Sequence, residues 1–301
     1  VPNKDYWRTP PKHEIEYRVI PDTQAMLLNL TTGTVDAGLE GIPARDVDRL
    51  RKGGITVFAA NPDGIVLDLL INTQWGPLKD KRVRQAINML INRDRIHRVV
   101  FQGKGIPMCL PFPTYSIAYN ADLEARCEFN PAKAKALLAE AGYANGFDIT
   151  ITTSKQFAEE WLKFAEILQN DLKQIGIRAK VKDLDIPGKI ASFWGNEKQI
   201  EVHNYGRGNK DPASLFGTAV VWKPYKGENV SAYYNPHFEQ LTLDAASTLD
   251  VGERKRIYRE ISEILLDDVF MTAVHSRPRY FAHSKKVGCA SASVDGHMMF
   301  E

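Results

Sequence analysis

The sequence predicts an α/β protein with mixed sheets. Three observations support this fold class: strand and helix signals alternate along almost the whole chain of 301 residues, no internal repeat is visible, and no low-complexity linker divides it. The chain is long enough for one large domain or two ordinary ones. Because no linker marks a boundary, any domains must be joined by strands that pass between them.

Apolar side chains at every second position predict the strands. In residues 13–20, for example, Ile15, Tyr17 and Val19 lie on one face, which is typical of a half-buried strand. A turn at residues 61–64 separates two of the strands. The predicted strands are 13–20, 55–59, 65–72, 147–152 and 177–181, followed by a final extended segment at 270–283.

Apolar side chains with helical spacing, bounded by capping residues, predict the helices. Asn130-Pro131 and Gly142 supply an N-cap, a proline at the first helical position and a glycine just past the end. The first helix places Ala25 and Leu28 on its apolar side. The predicted helices are 21–33, 43–53, one long helix at 79–101, 131–141, 159–175, 237–249 and 253–268.

The composition excludes several classes of function. Hydrophobic residues make up 44% and charged residues 25%, as in an ordinary globular protein. The net charge is +2, which gives no positive electrostatic field for binding nucleic acid and no polybasic membrane anchor. No apolar run approaches the ~18–20 residues that a membrane-spanning helix needs. The seven histidines show no metal-ligand spacing, and neither a nucleophile motif nor a metalloprotease motif is present. We therefore expect no catalytic activity and no cofactor.

The segment Gly206-Arg207-Gly208-Asn209-Lys210 is the most suggestive short motif. Its glycines and cations resemble a phosphate-binding loop, but the Walker spacing is absent and a third glycine in dinucleotide-binding register is missing. A nucleotide loop is therefore excluded. The segment is then either a loop that faces a ligand of another kind or a polar turn.

Six phrases together resemble one protein family. They are NKDYW at 3–7, IEYRVIPDTQAMLLNLTTGTVDAGL at 15–39, LLINTQWGPLKDKRVRQAINMLINRDRI at 69–96, FNPAKAKALLAEAGY at 129–143, LQNDLKQIGI at 168–177 and RKRIYREISEILLDD at 254–268. In this order and spacing they resemble the extracytoplasmic solute-binding proteins of ABC importers, in the peptide, nickel and oligosaccharide class. No single phrase is specific, but together they cover nearly the whole chain.

The resemblance implies a two-lobed, type-II periplasmic-binding-protein-like fold. Residues 1–70 and 275–301 would belong to the lobe that carries both termini, and residues 71–274 would form the second, ligand-binding lobe. The strand ending in Asn72 and the return strand near 272–279 would be the hinge crossings. Family members carry a long region before the phrase found here at 3–7, so the chain resembles the C-terminal portion of a longer protein.

The resemblance also gives the 205–210 segment a role. In relatives this region is a loop at the ligand cleft, with an aromatic residue, an acidic residue that pairs with the ligand's amino terminus, and a final pair that matches Asp211-Pro212. Tyr205 lies near the aromatic position, and Gly208 stands near the place of the acid. A buried ammonium without a counter-charge is costly. Arg207 and Lys210 therefore favour an anionic or polyhydroxylated solute, unless they are simply solvent-facing charges.

Other candidate residues flank the predicted hinge. Asp68 interrupts an apolar strand, so it either faces the cleft or meets a basic partner. Gln74 and Trp75 follow the strand and are predicted to line the cleft, as is Asn209 in the loop. Cys109 and Cys127 bracket a loop rich in proline and tyrosine, and they either form one disulfide in an oxidising compartment or remain free thiols.

The predicted function is capture of a small solute between two lobes that close about a hinge. The solute is peptide-like or, in preference, anionic or polyhydroxylated. The implied partners are the solute, the ABC-transporter permease and the missing N-terminal region or a companion chain, with no nucleic acid. The implied location is periplasmic or extracytoplasmic, with a lipoprotein anchor in a Gram-positive cell. The alternative is a solute-sensing regulatory domain that uses the same fold.

Overall fold

A computed structural model of the chain describes residues 5, 14–38, 42–59, 65–195, 197–206, 211–217, 230–277, 279–288, 290–292 and 298–300. Helices and strands alternate through these residues, which confirms the predicted α/β class with mixed sheets. The helices are α1 Thr23–Thr32, α2 Val47–Lys52, α3 Lys81–Asn88, α4 Arg93–Val99, α5 Ala121–Glu124, α6 Pro131–Glu140, α7 Glu159–Leu172, α8 Ile186–Trp194, α9 Ala213–Gly217, α10 Pro236–Ser247 and α11 Val251–Asp268.

The strands form three sheets. A small sheet has the order β1-β9-β2, a larger one has the order β4-β8-β3-β7-β5-β6, and β10 pairs with β11. Within the larger sheet β5 runs parallel to both β6 and β7, and the other neighbours are antiparallel. The strands are β1 Ala37–Gly38, β2 Thr56–Ala59, β3 Ile65–Ile71, β4 Ile106–Pro107, β5 Asp148–Thr153, β6 Arg178–Asp183, β7 Ile200–Gly206, β8 Met271–Arg277, β9 Tyr280–His283, β10 Ala290–Ala292 and β11 Met298–Phe300.

Both faces of the larger sheet are buried. One face carries Leu69 and Val202 and packs against α3, α6 and α7, while the opposite face carries Val66 and Leu70 and packs against α10 and α11. A third, separate cluster lies under the small sheet and includes Leu30 and Val57. Because the small sheet has its own core, it and the surrounding helices α1 and α2 form a unit distinct from the larger sheet.

We propose a boundary between these units that differs from the one predicted from the sequence. β3 pairs with β7 and β8 along its length, so it lies wholly in the larger sheet, although residues 65–70 were assigned to the terminus-bearing lobe. β9 pairs only within the small sheet, directly after β8 in the chain. We therefore propose that the two crossings lie between β2 and β3 and between β8 and β9, rather than at Asn72 and near 272.

The predicted long helix at 79–101 is wrong, because the structure divides it into α3 and α4. Asn92 caps the second helix by accepting a hydrogen bond from the backbone N–H of Arg95 at 2.9 Å. Leu90 and Ile91, in the connection, are both buried. The apolar pattern continued through the break because these two side chains enter the same core as the helices, and an asparagine inside the pattern marked a new N-cap.

Two predictions near the N-terminus also fail. Residues 14–20 have no regular secondary structure, and Ile15, Tyr17 and Val19 are exposed, so their alternation finds no partner strand among the described residues. In α1 the buried residues are Leu27 and Leu30, whereas Leu28 is 62% exposed. The ends of α1 agree with the prediction, since Asp22 caps it and Gly33 ends it in the left-handed conformation.

Candidate functional site

The topology of the larger sheet places a crevice at the carboxyl ends of β5 and β7. The chain leaves β5 through α7 on one face of the sheet, and it returns from β6 to β7 through α8 on the opposite face. The ladder between β5 and β7 ends at Thr152 and Glu201. In open α/β sheets, ligands bind outside the carboxyl ends of strands at such a point of reversal.

Buried polar atoms without partners lie at this edge. Thr153 ends β5, Ser154 follows it, and Trp161 is in the first turns of α7, and each of these residues is at most 3% exposed. Thr153 Oγ1, Ser154 Oγ and Trp161 Nε1 have no hydrogen-bond partner among the described residues. Buried polar groups are normally paired, so three at one edge indicate a place where a solute or water supplies the partner.

A row of aromatic rings borders the same edge. Phe157 stacks on Trp161 with ring centroids 5.2 Å apart, and Trp161 lies 6.4 Å from the ring of His203. His203 in turn stacks on Phe193, from α8, at 5.0 Å. Since Phe157 is 45% exposed, the row reaches solvent at its first ring and offers an apolar surface beside the unpaired polar atoms.

Asp68 meets a basic partner, which is the second of the alternatives that the sequence left open. It is fully buried, and its Oδ1 lies 3.1 Å from Nδ1 of His203, which stands directly opposite it on β7. Burial raises the pKa of Asp68, and the neighbouring His203 opposes this rise. Asp68 therefore reaches the crevice through His203.

A buried ion pair lies behind this edge. Lys189 of α8 pairs with Glu201 of β7, and Ser192 Oγ donates a hydrogen bond to the second carboxylate oxygen of Glu201 at 3.1 Å. Lys189 Nζ also lies 5.4 Å from the centre of the Trp161 ring. Burial lowers the pKa of Lys189, and Glu201 counteracts it. The pair fixes α8 against the sheet.

The predicted ligand loop begins at the crevice. Tyr205 is the penultimate residue of β7, and its backbone pairs with Val66. Arg207, Gly208, Asn209 and Lys210 lie outside the described residues. The chain resumes at Asp211, whose Oδ1 accepts hydrogen bonds from the backbone N–H of Ala213 and from Arg254 Nη2. The Arg254 guanidinium lowers the pKa of Asp211, so this carboxylate is engaged in anchoring the end of the loop.

Gln74 and Trp75, which the sequence predicts to line the cleft, follow the carboxyl end of β3. β3 runs antiparallel to β7, with Ile71 opposite Ile200 and Ile65 opposite Gly206. Seven residues of strand separate the two edges by roughly 20 Å. Gln74 is exposed there, and Trp75 is partly buried against the core. We therefore propose that these two residues lie at the edge opposite the solute, because strand direction cannot be read from a single apolar run.

The small unit adjoins the crevice through charged contacts. Arg45, just before α2, forms two hydrogen bonds with Glu159, the first residue of α7, one of them 2.9 Å long. Lys104 Nζ donates a hydrogen bond to the carbonyl oxygen of Ala44 at 2.8 Å and lies 3.7 Å from Asp48. Because α7 begins at the carboxyl edge of the sheet, these contacts bring the two units together beside the crevice.

The structure joins Cys109 and Cys127 in a disulfide with Cα atoms 6.1 Å apart. Glu124, between them in the chain, is half-buried and accepts hydrogen bonds from the backbone N–H groups of Cys109 and Leu110. Desolvation of its carboxyl raises the pKa of Glu124. The bridge therefore closes a segment that is also held by a half-buried carboxyl.

The described residues hold neither a cluster of metal ligands nor a membrane-spanning helix. These residues contain no group of three or more histidine, cysteine, aspartate or glutamate side chains arranged to hold a metal ion. None of their helices is both long and apolar enough to cross a membrane.

A sheet with a switch point, beside a smaller unit that has its own core, resembles the architecture of two-lobed binding proteins. Residues 1–225 match the family model of bacterial extracellular solute-binding proteins, family 5. The chain belongs to this family. Its members are named for binding rather than for catalysis, in agreement with the expectation that the protein is not an enzyme.

Curated relatives align over nearly all of the chain. Di/tripeptide-binding protein 1 of Pseudomonas aeruginosa is 28% identical over 278 residues, which are 90% of this chain and 51% of that protein. The glutathione-binding protein GsiB of Pectobacterium atrosepticum is 28% identical over 296 residues, which are 94% of this chain and 56% of that protein. The chain thus spans about half the length of the curated relatives it matches.

Solved structures confirm the fold. The periplasmic binding protein DppA of Helicobacter pylori, in complex with the peptide STSA, is 28% identical with a TM-score of 0.83, covering 98% of this chain and 57% of that one. The dipeptide-binding protein of Pseudoalteromonas, in complex with Met-Leu, is 22% identical with a TM-score of 0.85, covering 99% and 61%. AgaA of A. tumefaciens, in complex with agropinic acid, is 23% identical with a TM-score of 0.80, covering 94% and 59%.

Sequence reasoning missed most of the crevice. Asp185-Ile186-Pro187 supplied an N-cap and a first-turn proline for α8, and Ile200 with Val202 supplied the alternation of β7, so both elements were detectable. The polar face of β7, which carries Glu201 and His203, resembles a solvent face in the sequence. It is buried because α8 packs on it and brings Lys189.

Proposed function

We propose that the protein is the solute-binding receptor of an ABC importer, and that the crevice at the carboxyl ends of β5 and β7 holds the solute. The observation that carries this proposal is the set of unpaired buried atoms of Thr153, Ser154 and Trp161 at that edge. They offer hydrogen bonds to a small molecule, and the adjacent aromatic row covers its apolar parts. Family membership supports this role.

The proposed mechanism is closure of the two units about the solute. Separate cores and two strand crossings allow the units to move as bodies, and charged contacts such as Arg45–Glu159 form where they meet. A solute that contacts both units binds the closed form better and shifts the population toward it. The membrane permease then receives the solute from the closed form. Because the chain spans half the length of its relatives, the remaining wall of the cleft belongs to a further region or a companion chain.

The proposed solute is peptide-like with acidic groups, or an anionic or polyhydroxylated molecule. The loop from Tyr205 to Lys210 contains two cations and no acid, so it lacks a counter-charge for a peptide's amino terminus. The relatives are named for di- and tripeptides and for glutathione, and one structural neighbour holds agropinic acid. We place the protein in the periplasm, or outside the membrane on a lipid anchor in a Gram-positive cell.

A matched pair of tryptophan variants tests the site. Glutathione, the dipeptide Met-Leu and gluconate are titrated calorimetrically into the protein, after native mass spectrometry for any solute retained on purification. Trp161→Phe removes one buried N–H and keeps an aromatic ring at this position. We therefore expect about five- to tenfold weaker binding of the tightest probe. Trp75→Phe, at the opposite edge, is the control and should bind normally. Equal affinity of both variants and the wild type would place the solute elsewhere, and absence of binding by all probes would contradict the receptor role for this chain.

A further inference from the structure

We propose that Asp68 is a positioning residue that holds the ring of His203 so that its Nε2–H donates a hydrogen bond to an oxygen atom of the solute. The assignment rests on the solute-binding role proposed above. It adds to that role a specific contact and the chemical group that the solute must present there.

The geometry fixes the His203 ring on two sides. Asp68 Oδ1 lies 3.1 Å from Nδ1, and the ring of Phe193 stacks against the imidazole at an interplanar angle of 22°. A register shift in the pairing of β3 with β8 falls between Leu67 and Asp68, and such bulges re-aim side chains next to functional sites. Neither the rotation nor the tilt of the ring is left free.

The other ring nitrogen remains available. His203 Nε2 has no hydrogen-bond partner among the described residues, and the side chain is 17% exposed whereas Asp68 is fully buried. His203 is two residues before Tyr205, where the predicted ligand loop begins, and its ring borders Trp161 with its unpaired Nε1. Nε2 is therefore the polar atom through which the Asp68–His203 pair can reach a solute.

The charges around the pair indicate that it retains a proton. Two buried carboxylates, Asp68 and Glu201, stand near Lys189, which is paired with Glu201. Lys198 is also buried; its ammonium donates to the carbonyl oxygens of Phe193 and Gly195 at the end of α8, and its charge also acts on Glu201. The two lysines therefore balance Glu201, and Asp68 is left with His203 as its hydrogen-bonding partner. Asp68 Oδ2 is buried and has no hydrogen-bond partner among the described residues, so a bare carboxylate would be costly there and the Asp68–His203 pair retains a proton.

Either position of that proton leaves Nε2 as a donor. If the proton is on the ring, His203 is an imidazolium and both nitrogens carry hydrogen. If it is on Asp68, the carboxyl donates to Nδ1 and the neutral ring is the tautomer with hydrogen on Nε2. Burial raises the pKa of Asp68, which is consistent with a shared proton. The conclusion does not depend on which of the two sites holds the proton.

The atom of the solute that meets Nε2 must therefore be an acceptor. A carboxylate, carbonyl or hydroxyl oxygen satisfies it, whereas an ammonium would place two donors together. A carboxylate gains most when the ring is charged, because charge-assisted hydrogen bonds are about twice as strong as neutral ones. The Asp68–His203 pair therefore selects solutes that present an oxygen atom.

A double-mutant cycle on binding affinity tests the assignment. The ligand is whichever of glutathione, Met-Leu and gluconate binds most tightly, and it is compared with its own carboxyl amide. His203→Phe should weaken binding of the acid at least about tenfold, and His203→Gln, which keeps a donor, should restore part of it. Asp68→Asn should weaken binding about three- to tenfold in the wild type and have no additional effect in the His203→Phe background, because Asp68 acts through the ring. His237→Phe, which changes a surface histidine paired with Glu260, is the control and should leave binding unchanged.

The outcomes separate the two proposals. Circular dichroism and melting temperature establish that each variant is folded, and His203→Gln stands in if His203→Phe is not. If the ratio of the affinities for the acid and for its amide falls in the His203 variants, the solute oxygen at Nε2 is a carboxylate oxygen. If both affinities fall and their ratio is unchanged, the solute oxygen is a neutral one. If the wild type binds a probe while the His203 and Asp68 variants bind it within about twofold, the positioning role is refuted and the receptor role stands. If the wild type binds no probe, both proposals fail.

Discussion

Removal of Lys189 should destabilise the protein strongly at neutral pH and only weakly in acid. Lys189 and Glu201 form an ion pair in which the side chains are 4% and 0% exposed. The substitution Lys189→Met keeps the apolar stem of the side chain and removes the charge. Glu201 then remains buried with a hydrogen bond from Ser192 but without the cation that is paired with it.

The magnitude follows from the proton that Glu201 must take up. A buried carboxylate without a partner becomes protonated. Because pH 7 is about 2.7 pH units above the pKa of an ordinary glutamate, protonation at that pH costs roughly 3.7 kcal/mol. This agrees with the ~3–5 kcal/mol found when one partner of a buried pair is removed. In the variant the folded form must bind a proton that the unfolded chain does not bind at neutral pH, so the penalty shrinks as pH falls. At pH 5 it should be about 1 kcal/mol.

Urea denaturation at pH 7 and pH 5, followed by circular dichroism and tryptophan fluorescence, measures both values. Lys133→Met is the matched control, because Lys133 lies 3.6 Å from Glu128 in an exposed pair that should contribute less than about 1 kcal/mol at either pH. The double variant Lys189→Met/Glu201→Leu, which removes both charges, should recover most of the stability. A loss that is the same at both pH values, or no larger than that of the control, would refute the reasoning.

Three further predictions concern the disulfide, the Arg45–Glu159 ion pair and the buried guanidinium of Arg93. Reduction of the Cys109–Cys127 disulfide, which closes a segment with a sequence separation of 18, should lower the free energy of unfolding by about 3 kcal/mol, as measured by denaturation with and without reductant. The Arg45–Glu159 contact should show a coupling energy of about 0.5–1 kcal/mol in a double-mutant cycle on solute affinity. Since Arg45 lowers the pKa of Glu159, that coupling should be present at neutral pH and be lost as pH falls below about 4.5; a coupling that persists in acid would contradict the ion pair. Arg93→Lys should lower the melting temperature by several degrees. The buried Arg93 guanidinium donates to four different acceptors, among them the carbonyl oxygens of Met108 and Ala273, and a lysine cannot reach them all. An unchanged melting temperature would count against that role.

The sequence was sufficient wherever a local rule determines the structure. Asn130, Pro131 and Gly142 bound α6 as predicted, because capping depends only on neighbouring backbone groups. The inward face of α7, including Trp161 and Phe164, was also predicted correctly from its helical spacing. The resemblance to the family was confirmed over most of the chain.

Sequence reasoning failed where the outcome depends on what packs against an element. Asp68 and His203 are 135 residues apart, and only the pairing of β3 with β7 brings them together. The same pairing directs Gln74 and Trp75 to the opposite edge. Strand order and direction are long-range properties that no local pattern contains.

The order of strands in the small sheet has a consequence for how the protein folds as it is synthesised. β9 is the central strand, and β1 and β2 each pair with it and not with each other. Among the described strands, β1 and β2 therefore find a partner only once residues 280–283 are available. The larger sheet has the same dependence through β8, which borders both β3 and β4. Such long-range pairing slows folding and leaves strand edges exposed in the meantime. The edges of β1, β2 and β3 should thus remain open to chaperones until β8 and β9 are made.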